Sequence, residues 1–107
     1  MQLAKAIQLV RKAAPLDAQN YPKRAGLEGD DALAFDLTHS IRHLLRNIGV
    51  IEAMLERIDH GEIGALNKLE LRRAAAKLLG GTLGVCNLLE MSGRDLEFIL
   101  QMEFKVR

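Results

Sequence analysis

Leu78-Leu79-Gly80-Gly81-Thr82-Leu83-Gly84-Val85-Cys86-Asn87-Leu88-Leu89 is the stretch on which the fold turns. It is apolar nearly all the way round a helix, and such a helix is buried on every side. At 12 residues it is too short to span a bilayer, and Thr82 and Asn87 interrupt it. A chain of 107 residues has few neighbours of its own to cover such a segment. The stretch is therefore expected at an oligomer interface. Gly80, Gly81 and Gly84 would admit a second backbone, with Leu83 and Leu88 packing beside them.

Working outward, the stretch is the second half of a helix expected over 68–91. Its first half is amphipathic, with Leu71, Ala74, Ala75 and Leu78 inward and Arg72, Arg73 and Lys77 outward. Asn67 is the expected N-cap, after a short turn over 62–67. Before it, Leu37, Ile41, Leu44, Leu45, Ile48, Ile51, Leu55 and Ile58 recur at steps of three and four. That stripe predicts a helix over 31–60, capped by Asp30 or Asp31 and stopped at Gly61. Gly49 lies inside it and implies a close helix contact or a bend, since glycine there costs about 1 kcal/mol against alanine. Leu3, Ile7, Val10 and Ala14 predict a first helix over 2–14, ended by Pro15. Ser92 and Asp95 form a capping box for a last helix over 93–106, expected to bury Leu96, Ile99, Leu100 and Phe104. Residues 15–30 hold Pro15, Pro22, Gly26 and Gly29 and read as a long ordered loop. The fold class expected is all-α, a single domain forming an antiparallel four-helix bundle packed into a homodimer or higher oligomer.

Composition narrows the function. The chain has 15 Lys+Arg against 14 Asp+Glu, a net charge of +1. Aromatics are 4% and Trp is absent. No global field or stacking platform points to nucleic acid. Lys5, Arg11 and Lys12 break any apolar signal segment near the N-terminus, so a cytoplasmic, non-membrane protein is expected. The single cysteine, Cys86, excludes an intrachain disulfide and a four-thiolate zinc site. Its apolar surroundings make it an inert thiol.

Several side-chain sets carry possible chemistry. Asp36, His39 and His43 sit at i, i+3 and i+7, and two histidines at i, i+4 can reach one metal. The competing reading is a solvated polar face opposite the leucine stripe, and no metal site is assigned. Glu52, Glu56 and Asp59 form an acidic line that either holds Mg²⁺ through water or makes surface salt bridges. Arg42 and Arg46, with Arg72, Arg73 and Lys77, would form a basic patch if the two long helices are adjacent, suited to a phosphate or an acidic partner. Tyr21 is the large aromatic of loop 15–30. It is either a partner-binding anchor or a residue that pins the loop to the helices.

The segment from Arg42-His43-Leu44-Leu45 to Gly61, then Leu71 to Phe98, resembles the all-α nucleoside triphosphate pyrophosphohydrolases, the MazG and phosphoribosyl-ATP pyrophosphohydrolase-like proteins. Leu88-Leu89-Glu90-Met91-Ser92-Gly93-Arg94-Asp95-Leu96-Glu97 is the part most similar, matching the family's Gly-x-Asp-Leu-Glu turn into its last helix. The resemblance implies a dimer or tetramer of helical bundles with Gly-rich third helices packed together. It also implies a Mg²⁺ site built from a Glu-Glu-x-x-Glu cluster and a Glu-x-x-Asp pair, which activates water. Here Gly49-Val50-Ile51-Glu52-Ala53 stands at the cluster and Lys77-Leu78-Leu79-Gly80 at the pair. Only Glu52 or Glu56 survives nearby, and a lysine opposes a divalent cation.

The function expected is therefore binding and not catalysis. The chain would be a homo-oligomeric module without a cofactor, taking a protein or small-molecule partner through Tyr21, Arg42, Arg46, Glu52 and Glu56. The alternative is a Mg²⁺-dependent pyrophosphohydrolase with a degenerate site, using Glu52, Glu56, Asp59 and Glu70.

Overall fold

A computed structural model describes residues 2–13, 21–62 and 64–105. The Pro15 stop and loop residues 15–20 lie outside them. Among the described residues the chain is all-helical and has no strand. The elements are α1 (Leu3–Ala13), a one-turn 3-10 helix (Pro22–Arg24), α2 (Gly29–Asp59), α3 (Lys68–Leu88) and α4 (Gly93–Glu103).

The helix ends follow local chemistry. The Asn67 side chain accepts the Glu70 backbone N–H at 3.0 Å and starts α3. Ser92 and Asp95 close the capping box of α4, at 2.9 and 3.1 Å. Gly61, at φ 88°, ends α2 in the left-handed region. Three boundaries depart from expectation, and the end of α4 is one: the helix stops at Glu103, short of Val106, with Phe104 as its C-cap. α2 begins at Gly29, two residues early, with Glu28 as an N-cap that makes no side-chain bond. Asp30 and Asp31 fall in the first turn, where their charge favours the helix N-terminus. α3 ends at Leu88 and not at Met91, because Glu90 takes φ 58°. The Met91 N–H then reaches back to the Cys86 carbonyl at 2.9 Å. No glycine marks this stop, so periodicity alone carries the helix too far.

α3 is the axis of the molecule. α2 packs along it, α1 packs on its other side, and α1 touches α4. The chain reverses between α2 and α3, so that Asn67 lies by Met54, its N–H 3.4 Å from the thioether sulfur. Farther along, Gly81 lies under Leu44, where an added Cβ would come within 2.7 Å of Leu44 Cδ2. Gly80 and Gly84 lie under Val10 of α1, with a Cβ at 3.8 and 3.7 Å from its methyls. The Asn87 amide donates to the Ile7 carbonyl at 3.1 Å and ties α1 down. Gly93 admits Ala4: a Cβ there would stand 3.2 Å from the Ala4 backbone.

Among the described residues no comparable contact joins α4 back to α2, so the helices form an open row. The buried apolar residues are Ile7, Ala32, Met54, Ala74, Leu83 and Cys86, and no large side chain among the described residues is completely enclosed. α4 has no buried residue: Ile99 and Leu100 are exposed, and Phe104 is 71% exposed, contrary to the burial expected of them. The chain is 49 × 44 × 22 Å with a radius of gyration of 16.8 Å, against about 13 Å for a compact chain of this length. Its accessible surface is 8685 Å², where a folded monomer of this mass exposes about 5,900 Å².

Candidate functional site

α2 carries nearly all of the chemistry singled out above, and its periodicity splits those side chains between two faces. Leu33, Leu37, Leu44, Ile51 and Met54 are half-buried or buried, Leu44 against Gly81 of α3 and Met54 beside its N-cap Asn67. One residue further round, Ile41, Leu45, Ile48 and Leu55 turn away. They are 44, 61, 49 and 50% exposed. Ala34, Ile41, Ile48 and Leu55 repeat every seven residues, and Thr38, Leu45 and Glu52 fill the alternate position. All seven are exposed. This is a coiled-coil type of seam without a partner among the described residues.

Arg42, Glu52 and Glu56 lie on or beside this seam, Arg46 turns away from it on the side of Arg57, and all four singled-out residues are exposed. Among the described residues Arg42, Arg46 and Glu52 make no ion pair. Glu56 has only a long contact of 3.8 Å to His60. Arg57, on the far side from the seam, pairs with Glu62 at 2.6 Å.

The set Asp36, His39 and His43 separates. Asp36 is buried and holds Arg24 by two bonds, Nε–Oδ1 at 2.9 Å and Nη2–Oδ2 at 3.3 Å. Arg24 also donates to the Leu27 carbonyl at 3.3 Å. This fork fastens the segment before α2 onto the helix. Asp36 is thus not part of a solvated polar face. Arg24 was not singled out by the sequence pattern; the one hint is its place just after Pro22, where a turn can aim it back at α2. His39 stands between two rings, with Tyr21 edge-on at 4.5 Å and His43 at 4.5 Å. Burial lowers the His39 pKa below its usual 6.5, the charges of His43, Arg46 and Arg42 act the same way, and Asp36 opposes them. Tyr21 is half-buried, and its ring contact pins residues 21–28 to α2.

Gly80, Gly81 and Gly84 were expected to admit a second backbone; the neighbours seen are side chains of the same chain, Leu44 close over Gly81 and Val10 in ordinary contact with Gly80 and Gly84. Leu83 is 3% exposed within the single chain and Leu88 is half-buried. Gly49 behaves differently: a Cβ there would meet nothing within 4 Å.

An open groove of about 410 Å³ runs between α2 and the start of α3. Asn47 and Val50 line one side, with Asn67, Glu70, Arg73 and Lys77 on the other. It brings Arg73 and Lys77 together; Arg42, Arg46 and Arg72 are not among its walls. Among the described residues, no three His, Cys, Asp or Glu side chains come together in a metal-holding group. No helix among them is long and apolar enough to cross a membrane.

No family model, curated protein or solved structure matches this chain.

Proposed function

We propose that the chain is a non-catalytic binding module that works as a homo-oligomer. The observation that supports this reading is its surface. The single chain, at 8685 Å², exposes about 2,800 Å² more than a folded protein of its mass, and obligate homo-oligomers bury areas of that order. Among the described residues sixteen large hydrophobic ones are exposed, far more than the scattered few of a monomer surface. A second copy would turn the open row into a closed arrangement of antiparallel helices, each with neighbours on both sides. Clefts formed between copies are then the places for a protein or small-molecule partner. The groove beside Arg73 and Lys77, open at one side in the single chain, is one such place.

Sedimentation velocity over a hundredfold concentration range tests the reading. The expected result is a dimer or larger species, with a melting temperature that rises with concentration. A monomer throughout the range would overturn it. The same protein is expected to melt unchanged with nucleoside triphosphates and Mg²⁺ or Mn²⁺. A shift of several degrees requiring both metal and nucleotide would replace the binding module by the hydrolase reading.

A further inference from the structure

We infer that the groove between α2 and α3 binds a small phosphate monoester without a metal ion, its phosphate held by Asn47, Arg73 and Lys77. This rests on the binding module proposed above and names the ligand of one of its clefts.

The groove is built on one flank of α3. Glu70, Arg73, Lys77, Gly80 and Gly84 follow one another at steps of three and four, so they lie in a single line along the helix. The far half of that line carries α1, where Val10 packs on Gly80 and Gly84. The near half walls the groove, with Asn47 and Val50 of α2 opposite. Ala74 is buried among these walls, and its small side chain leaves the recess open. At about 410 Å³ the space is of small-molecule size.

Charge places the ligand within it. Arg73 and Lys77 stand one helical turn apart. Among the described residues, neither they nor the Asn47 side chain has an ion-pair or hydrogen-bond partner. Glu70 holds the other end of the groove, beside the Asn67 cap at the start of α3, and repels an anion there. An anionic group is thus directed to the Lys77 end. Arg73 offers it a planar fork, Lys77 a point charge and Asn47 a neutral amide donor. A phosphate monoester carries nearly two charges and three strong acceptor oxygens, and can meet all three side chains at once. A carboxylate, with one charge and two oxygens, leaves a cation unmatched. Val50 and Leu69 complete the walls with apolar surface suited to the carbon body of an ester. Glu70 is the one carboxylate among the described walls, and two cations already neutralise the phosphate, so no metal is needed.

Phenyl phosphate, titrated into the isotope-labelled chain with EDTA present and ionic strength held constant, tests the assignment by NMR. The amide signals of Asn47, Arg73 and Lys77 should move together and saturate in the millimolar range. Phenylacetate and inorganic phosphate should each bind several-fold more weakly. Arg73 and Lys77 are exposed, so Arg73→Gln/Lys77→Gln should keep the wild-type melting curve while binding phenyl phosphate about tenfold more weakly or worse. Arg72→Gln, on the same helix but outside the groove walls, should change the affinity by less than about twofold. No saturable shift at the groove, or equal weakening in the two variants, overturns the inference. Equal binding of phenylacetate overturns the phosphate, and equal binding of inorganic phosphate overturns the ester. Sedimentation separates this result from the reading it rests on. An oligomer that binds no phosphate ester removes this inference alone, and a monomer that binds one removes only the homo-oligomer.

Discussion

Two apolar stripes run along α2, one residue apart, and meet different surroundings. The inner one, through Leu37, Leu44, Ile51 and Met54, is half-buried or buried, and Leu44 and Met54 meet α3 and its cap. The outer one, through Ile41, Leu45, Ile48 and Leu55, stays exposed. Their residues are chemically alike: both are leucine and isoleucine at steps of three and four. What differs is the neighbour. α3 offers Gly81, where a side chain would strike Leu44, so the inner stripe packs at close range. The outer stripe has no helix packed on it among the described residues. Hydrophobic periodicity marks a face for burial without saying whose surface buries it.

The sharpest way to break this contrast is to truncate one residue on each side. Met54→Ala, at a buried position of α2 beside the start of α3, should cost about 2–5 kcal/mol through lost contact and the cavity left behind. The loss should appear in denaturant melts at every protein concentration. Leu45→Ala should instead act only where copies associate: in dilute protein the melting curve should stay within about 0.5 kcal/mol of wild type. Equal losses at both sites in dilute protein would end the distinction between an intrachain and an interchain stripe.

The Arg24–Asp36 fork comes next. Its side chains are 25% and 10% exposed, so one partner cannot be removed without leaving the other poorly hydrated. Asp36→Ala should destabilise by about 1–3 kcal/mol, with residues 21–28 losing hydrogen-exchange protection first. Ser92→Ala should cost about 1 kcal/mol and lower the helical signal of α4, since the cap is its start.

The smallest effect is pH-dependent. The His39 pKa is held down in the folded chain, chiefly by burial. As pH falls below the ordinary 6.5, the unfolded chain takes up the proton first, and stability is lost down to the folded pKa. The melting temperature should therefore decline between about pH 7.5 and 5.5. His39→Gln should flatten that decline, and an unchanged slope would remove His39 as its source.

Much of the helical architecture was legible in sequence. Asn67, Gly61, and the Ser92 and Asp95 box act within three or four residues of chain, so their meaning survives any tertiary arrangement. The end of α3 was not legible, because Glu90 adopts a backbone state that glycine usually signals. Arg24 escaped notice because its partner lies 12 residues away across a turn. The residues proposed for chemistry were visible as types, but their grouping was not. Asp36 looked like a companion to His39 and His43, yet its carboxylate is occupied by Arg24.

By itself the sequence determined that the chain is helical, where most helices start, and that it carries more apolar surface than one small chain can cover. Those properties depend on periodicity and local hydrogen bonding, which are functions of near neighbours. Only the tertiary structure decided which apolar faces meet. It turned Gly80, Gly81 and Gly84 inward against α1 and α2, and left the Ile41–Leu55 seam outside. A helix can be rotated by one residue at little local cost. The choice between its faces is made by the total fit of side chains brought together from distant parts of the chain.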